Sequence, residues 1–455
     1  MNMYRKAVPT STDMKNDPAD LEYIAALVRD DEVHADVYLS SEVFALEQER
    51  LFSRTWQFVG HASQVPAIGD FYTTEVAGEP LVMLRRTDGS VGVLENRCAH
   101  KGTAIFSRRS GNTGKLMRCP YHAWTYRLDG SLMSMPARSD YGDTSFQQCA
   151  ASKGLGRPST ANYRGFIFVR LAEQGPAFEE YAGEMLKVLD NLLDRSPKGE
   201  LLVTGGCLRS VLNCNWKMYL ENVNDAIHAV PTHDSVISAT TAVWNAQTDQ
   251  SSKPMAVEQL LPFGQGLDFV KSMGSRVFAN GHSILGTKAS LHVGYAALAQ
   301  YEAVLTRRHG EAKAKEILSF SPQNAILYPT MAVKCSPQLI RVVRPLAADR
   351  TLIEAWALEL EGAPEELLQR TISYNRLVYS PMSAVAHDDI HVFESMQQSL
   401  RARGNRWVSL HRLHRPDETC DGRVDHLATS EILMRNQFRT WRRWMTQVES
   451  PRTAA

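Results

Sequence analysis

The sequence predicts an α+β chain, on three observations. Within 81–95 and within 124–133, short apolar stretches are divided by an Asp-Gly pair, the signal of a β-hairpin. Residues 216–227 instead carry apolar side chains at roughly helical spacing. At 455 residues the chain can form two domains, or one with a large insertion, each burying a core of its own.

The first hairpin, LVMLRRTDGSVGVLE, turns at Asp88-Gly89, and the second, WTYRLDGSLM, at Asp129-Gly130. Between them lie Cys98-Ala99-His100 and, after eighteen residues, Cys119-Pro120-Tyr121-His122. Gly102 and Pro120 mark both clusters as loop tips rather than helix faces. Each offers one thiolate and one imidazole, the set that a [2Fe-2S] cluster needs when one iron sits on two Cys and the other on two His. Neutral imidazoles in place of two thiolates remove negative charge, so such a cluster accepts an electron more readily. Two Cys and two His also suit tetrahedral zinc. Zinc pairs more usually come as Cys-x-x-Cys with His-x-x-x-His, whereas each pair here is mixed, which favours the iron–sulfur reading.

The helical signal runs through Trp216, Tyr219, Leu220, Val223 and Ile227, with Asn215 as N-cap. On such a helix Asp225 and His228 share a face. Pro231 disfavours its continuation, and His233 follows at once. Two histidines on either side of a helix end can converge on one metal. With one carboxylate they would form the 2-His-1-carboxylate triad, which leaves positions on ferrous iron for water, dioxygen and substrate chemistry. Asp225 could supply that carboxylate, and so could Asp388 or Asp389 in the helical stretch 386–398. A His-x4-His pair alone is a weak signal; an iron–sulfur motif about a hundred residues upstream strengthens it. His387 and His391 flank Asp389 but would close an open position, so they are expected outside the ligand set.

Composition excludes several classes. Lys plus Arg equals Asp plus Glu at 50 each, so charge gives no case for a nucleic-acid partner. The polar first thirty residues lack a secretory core, and no apolar run has membrane-spanning length, so a soluble, cytoplasmic protein is expected. Cys149, Cys207, Cys214, Cys335 and Cys420 show no paired spacing and read as reduced thiols. No repeat or low-complexity tract is present. Gly264-Gln265-Gly266 lacks the third glycine of a dinucleotide fingerprint, and Gly114-Lys115 is followed by Leu116 rather than Ser or Thr. Neither a nicotinamide nor a nucleotide site is read in this chain.

Taken together, Asn96–Gly102, Cys119–Trp124, Tyr163–Val169, Asn215-Trp216-Lys217, Glu221-Asn222, Asp225–His228 and His233 resemble the alpha (large) subunit of Rieske non-haem iron aromatic-ring-hydroxylating dioxygenases. The resemblance covers most of the chain, from about Trp56 to the C-terminal tryptophans. Its one departure is the eighteen-residue gap between the two cysteine–histidine pairs, at the long end for the family. The resemblance implies an α+β architecture: a small all-β Rieske domain plus a larger catalytic domain with an antiparallel sheet covered by helices. Its expected divisions are an N-terminal helical segment packing on the catalytic domain over 1–45, the Rieske domain over 46–170 and the catalytic domain over 171–455.

It also implies roles. Cys98, His100, Cys119 and His122 would bind the Rieske [2Fe-2S] cluster. His228, His233 and Asp389 would bind a mononuclear Fe(II), Asp389 because it precedes Glu394-Ser395-Met396-Gln397 by five residues, with Asp388 the rival. Asp225 would bridge an iron-binding histidine to a Rieske histidine, His122 in preference to His100, of a neighbouring subunit. Dioxygen would be the co-substrate, with electrons from NAD(P)H arriving indirectly through a reductase and ferredoxin. A head-to-tail homotrimer is implied, with a small beta subunit completing an α3β3 hexamer. The stretch 434–445, rich in Trp and Arg, is expected to pack on its own domain or a partner subunit rather than on a membrane.

The expected activity is that of a terminal oxygenase cis-dihydroxylating a small aromatic substrate in aromatic compound catabolism. The alternatives are a Rieske monooxygenase or demethylase and, outside catalysis, an iron–sulfur electron carrier. Asn222, Val223, His282, Leu285 and Leu291 are the expected pocket lining. An aromatic acid would call for a buried Arg or Asn there, and a hydrocarbon for an all-apolar wall.

Overall fold

The computed structural model describes residues 21–142, 144, 146, 153–291 and 297–447. Its contacts divide the chain into two units, one of Phe52–Tyr181 with Leu201–Val203, the other of Met1–Leu51, Ala182–Glu200 and Thr204–Ala455.

Among the described residues the smaller unit forms three antiparallel sheets. Both expected hairpins form. Glu79–Arg85 pairs with Val91–Glu95, and Thr125–Arg127 with Leu132–Ser134. In each turn the aspartate carboxylate accepts a backbone N–H two residues on, Ser90 at 2.9 Å and Ser131 at 2.8 Å. The following glycine takes a positive φ, +82° and +87°, which an L side chain resists. The core between the sheets gathers Phe71, Val82, Leu84, Leu94, Met117, Trp124 and Tyr126, and it includes Cys98 and Cys119.

The larger unit is organised on a seven-stranded sheet. Its strand order is Leu201–Leu212, Arg350–Leu360, Leu339–Ala347, Met331–Lys334, Asn324–Leu327, Ser283–Leu285, Ser275–Val277. From Arg350–Leu360 onward every neighbouring pair is antiparallel. The registers Leu285↔Asn324, Ala325↔Val333, Ala332↔Arg341 and Lys334↔Leu339 put Leu285, Asn324, Ala332, Lys334, Leu339 and Arg341 on one face. The Glu365–Tyr379 helix packs on the Arg350–Leu360 strand, and the Ala384–Ser399 helix packs on Glu365–Tyr379. Ser383 caps that last helix by accepting the Ala386 N–H at 3.2 Å.

Ahead of the sheet, the helices Leu21–Ala26, Asp36–Leu39 and Ser41–Glu47 belong to this same unit, and the Glu32–His34 strand pairs with Trp407–Ser409. The C-terminal Ile432–Thr446 helix buries Phe438, Trp441 and Met445 and packs against Leu21–Ala26 and Ser275–Val277. Its aromatic face is therefore spent within its own unit. Among the described residues no helix is long and apolar enough to cross a membrane. Cys214, Cys335 and Cys420 are unpaired thiols, Cys207 Sγ donates to Leu208 O at 3.6 Å, and Cys149 lies outside the described residues.

One helix departs from expectation. It spans Trp216–Val223 rather than reaching Ile227, with Asn215 capping it by accepting the Lys217 N–H at 3.1 Å. Beyond Asn224 the Asp225 carboxylate accepts the Ile227 N–H at 2.7 Å, a local bond that competes with helical pairing. A short helix, Ala229–Thr232, follows with Pro231 in its first turn, where no backbone donor is needed. Asp225 and His228 thus sit on a turn and its exit, not on one helix face.

Candidate active site

In the smaller unit two tight loops carry the four cysteine and histidine side chains, Cys98 and Cys119 in one buried cluster and the two imidazoles in ring contact. Cys98 N–H donates to Thr103 O at 2.8 Å, and Gly102 N–H to Cys98 O at 2.9 Å, with Gly102 at φ +76°. Cys119 N–H donates to Trp124 O at 2.8 Å, and Ala123 takes a left-handed φ of +56° to close that loop. Cys98 and Cys119 are buried, whereas His100 is half-buried and His122 exposed. The His100 and His122 rings lie 4.6 Å apart, and His100 stacks on Trp124 at 4.9 Å. Nδ1 of His100 is shielded from solvent without a hydrogen-bond partner. Burial, with His122 and Lys101 nearby, holds its imidazole below the usual range, in the neutral form that coordinates metal. This donor set fits a cluster with a buried thiolate-bound iron and an outward imidazole-bound iron. Tyr126, which sequence reasoning passed over, places its hydroxyl 3.2 Å from Cys98 Sγ and accepts the Ala99 N–H at 3.2 Å.

In the larger unit, ligand atoms of His228, His233 and Asp389 all lie within 4.8 Å of one another. The Nε2 atoms of His228 and His233 stand 3.8 and 3.6 Å from Asp389 Oδ1. His228 comes from the turn before Ala229–Thr232, His233 from its end, and Asp389 from the Ala384–Ser399 helix. Asp388, on the same helix, lies 3.3 Å from Nδ1 of His233, the other ring nitrogen. Asn222 donates from Nδ2 to Asp389 Oδ1 at 3.1 Å.

The electrostatics fit a cation. Burial pulls His228 down to about 4, so its imidazole is neutral, and pushes Asp389 up to about 7. A divalent cation among these atoms would hold Asp389 as the carboxylate, the inversion a bound metal imposes on its ligands. The histidines at 387 and 391 are exposed and take no part in the group.

Asp225 lies beside His228, and its carboxylate makes no hydrogen bond to the ring. Its Oδ1 accepts the Ile227 N–H and stands 3.7 Å from Arg412 Nη2, while Nδ1 of His228 is buried and unpartnered. The expected Asp225–imidazole bond is therefore not made within the chain.

The cavity next to this group is lined by Asn222, Val223, Leu285 and Leu291, as expected, and also by Asn324, Arg341, Tyr374 and Tyr379. His282 is not part of its lining; the buried ring accepts the Tyr328 N–H at Nδ1, 3.0 Å away. Arg341 was legible in principle, as a charge interrupting the apolar strand LIRVV.

Comparison with known proteins agrees with these two centres. Residues 55–150 match the Rieske [2Fe-2S] domain, and residues 187–447 match the ring hydroxylating alpha subunit (catalytic domain). The chain is 29% identical over 385 residues to the anthranilate 1,2-dioxygenase large subunit of Acinetobacter baylyi, covering 83% of this chain and 79% of that one. It is 28% identical over 415 residues to the toluate 1,2-dioxygenase subunit alpha of Pseudomonas putida, covering 88% and 87%. The N,N-dimethyl phenylurea N-demethylase subunit alpha of a Sphingobium is also 28% identical, covering 91% of each. In fold it resembles naphthalene 1,2-dioxygenase with indole bound, at a TM-score of 0.73 and 22% identity over 93% of each chain. A two-Cys, two-His pair of loops in one unit, a two-His, one-carboxylate group in the other, and a family match over more than half the chain converge: this chain belongs to the alpha subunits of the ring-hydroxylating oxygenases, with a Rieske [2Fe-2S] domain ahead of its catalytic domain.

Proposed function

We propose that this chain is the terminal oxygenase that cis-dihydroxylates a small aromatic ring at His228, His233 and Asp389. The observation that carries the reading is the convergence of those three side chains within 4.8 Å beside a cavity. When bound, the [2Fe-2S] cluster supplies single electrons and the mononuclear iron a position for dioxygen. Ring, dioxygen, two electrons and two protons balance to one cis-diol.

The chain's own residues then divide the work. Cys98, Cys119, His100 and His122 would hold the cluster. His228, His233 and Asp389, which line the cavity, would hold the iron. Asp388 fixes the ring of His233 through Nδ1, and Asn222 fixes Asp389. Asp225 accepts a hydrogen bond from a neighbouring subunit's histidine and passes electrons between centres; its partial exposure supports this role. Such a role needs a head-to-tail trimer, which a small beta subunit completes as α3β3. A reductase and ferredoxin bring electrons from NAD(P)H, and the assembly works in the cytoplasm.

The test is a metal count with spectra and products. Iron near three per chain with two sulfides, a Rieske-type signal on reduction, and a cis-diol from an aromatic substrate are the expected results. A zinc-bound, colourless protein would overturn the reading, and a phenol or a demethylated amine as sole product would replace dihydroxylation with monooxygenation or demethylation.

A further inference from the structure

The cavity beside His228, His233 and Asp389 has a cationic wall. Arg341 stands on the sheet face that also carries Leu285, Asn324 and Leu339, where strand alternation calls for an apolar side chain. It is 3% exposed. Nη2 donates to Asn324 Oδ1 at 2.5 Å, and the guanidinium sits 4.7 Å over the Tyr379 ring. Nε is buried with no hydrogen-bond partner. Among the described residues, no carboxylate pairs with this guanidinium within 4.0 Å. Asn324 is itself fixed, since its Nδ2 donates to Val223 O at 3.0 Å. Lys334, on the same sheet face, is buried too, its Nζ donating to Gln323 O at 2.9 Å, and among the described residues it pairs with no carboxylate.

A buried guanidinium is retained when something compensates it, because desolvation of an unpaired charge is strongly unfavourable. Here the Asn324 amide oxygen, the Tyr379 ring face and the neighbouring Tyr219 hydroxyl compensate it in part, and Nε is left over. A planar carboxylate is the group whose geometry matches the remaining donors. Resting on the oxygenase reading of this site, we propose that its substrate is an aromatic carboxylate, bound with its anionic group on Arg341. A cationic substrate, such as a quaternary ammonium, is disfavoured by the same charge, and a bare hydrocarbon leaves Nε unsatisfied.

The test uses the iron-loaded full chain in its assembly, kept anaerobic, with benzoate, benzamide and toluene as probes in isothermal titration calorimetry. Benzoate should bind roughly tenfold or more tightly than benzamide, which has the same shape without the charge. Arg341→Met should weaken benzoate roughly thirtyfold or more without weakening toluene, and Arg341→Lys should bind benzoate with an affinity between those of the unaltered chain and Arg341→Met. Equal affinity for benzoate and benzamide, or benzoate binding unaltered in an iron-replete Arg341→Met, overturns the assignment. Should Arg341→Met not fold, the benzoate–benzamide comparison on the unaltered protein decides. Turnover of toluene with no benzoate binding removes the carboxylate and leaves the oxygenase. Benzoate bound through Arg341 but no arene oxygenated, with the cluster reduced, keeps the carboxylate and removes the oxygenase.

Discussion

Replacing Glu47 by alanine should destabilise the larger unit by several kcal/mol and deplete its iron. The Glu47 carboxylate and the Lys217 ammonium are both wholly buried, 2.6 Å apart. The same carboxylate accepts the indole N–H of Trp216 at 2.8 Å and of Trp441 at 2.6 Å. It thus ties the Ser41–Glu47 helix to the start of Trp216–Val223 and to the C-terminal helix. Removing one partner of a buried pair costs about 3–5 kcal/mol, because the surviving charge is left uncompensated. Each indole N–H left without an acceptor adds about 1–3 kcal/mol, though three donors sharing one acceptor are not additive. Burial already lowers the Lys217 pKa and Glu47 opposes that shift, so in the variant the amine can shed its proton and limit the loss. The working figure is roughly 4–7 kcal/mol, greatest at low pH and smaller as pH rises, since an amine depressed in the folded state regains stability toward higher pH. Urea unfolding followed by tryptophan fluorescence and circular dichroism measures it. Adding Lys217→Met to Glu47→Ala should recover roughly 2 kcal/mol or more by removing the orphaned charge. A loss below about 1 kcal/mol, or a double variant no better than the single, would refute the argument. Iron content is a second readout, since Trp216–Val223 carries Asn222, which holds Asp389.

Three further outcomes are expected. Asp389→Ala should lose the mononuclear iron and keep the cluster's visible spectrum, whereas Asp388→Asn should weaken iron binding only about 10–100-fold; the reverse order in a ferrous titration would exchange the two aspartates' roles. Glu221, pushed up to about 8 by burial, is protonated in the folded chain at pH values where the unfolded chain, at about 4.5, has released its proton. Its contribution is therefore full below that lower value and is lost as pH rises through about 8; on the order of 4 kcal/mol of pH-dependent stability should vanish in Glu221→Gln, and an unchanged denaturation profile between these limits counts against it. Tyr126→Phe removes the hydroxyl beside Cys98 Sγ, so the cluster potential should fall by about 40 mV, the equivalent of roughly 1 kcal/mol, as read by redox titration; no change would mean that the hydroxyl does not stabilise the reduced cluster.

The parts legible in the sequence are those whose cause is local. An Asp-Gly pair makes its own turn, because the aspartate binds a backbone N–H two residues on and glycine takes the positive φ, and both hairpins follow from that. The paired Cys and His of each loop are two or three residues apart and so bring their own geometry. His233 and Asp388 are 155 residues apart and meet only through helix packing, so spacing alone left Asp225, Asp388 and Asp389 as rival carboxylates. The helix end at Val223 was hidden for a different reason. Apolar spacing continues to Ile227, but one short carboxylate, Asp225, takes the Ile227 N–H and breaks the ladder.

Arg341 marks where the reading of pattern stopped short of chemistry. Two residues on either side of it in the strand, Leu339 and Val343 are buried and share its face, so the run reads as ordinary core. A charge in such a run contradicts the pattern that folds the sheet, and contradictions of that kind gather where a site needs them. The sheet can bear it because Asn324, across the face, is itself anchored to Val223 O and turns its carbonyl to the guanidinium. That bond links the sheet to the end of the Trp216–Val223 helix, from which Asn222 reaches Asp389. Hydrogen bonds from Arg341 through Asn324 to Val223 O, and from the adjacent Asn222 to Asp389, meet on neighbouring residues of one helix end, so the same segment positions Arg341 and the carboxylate among the two histidines.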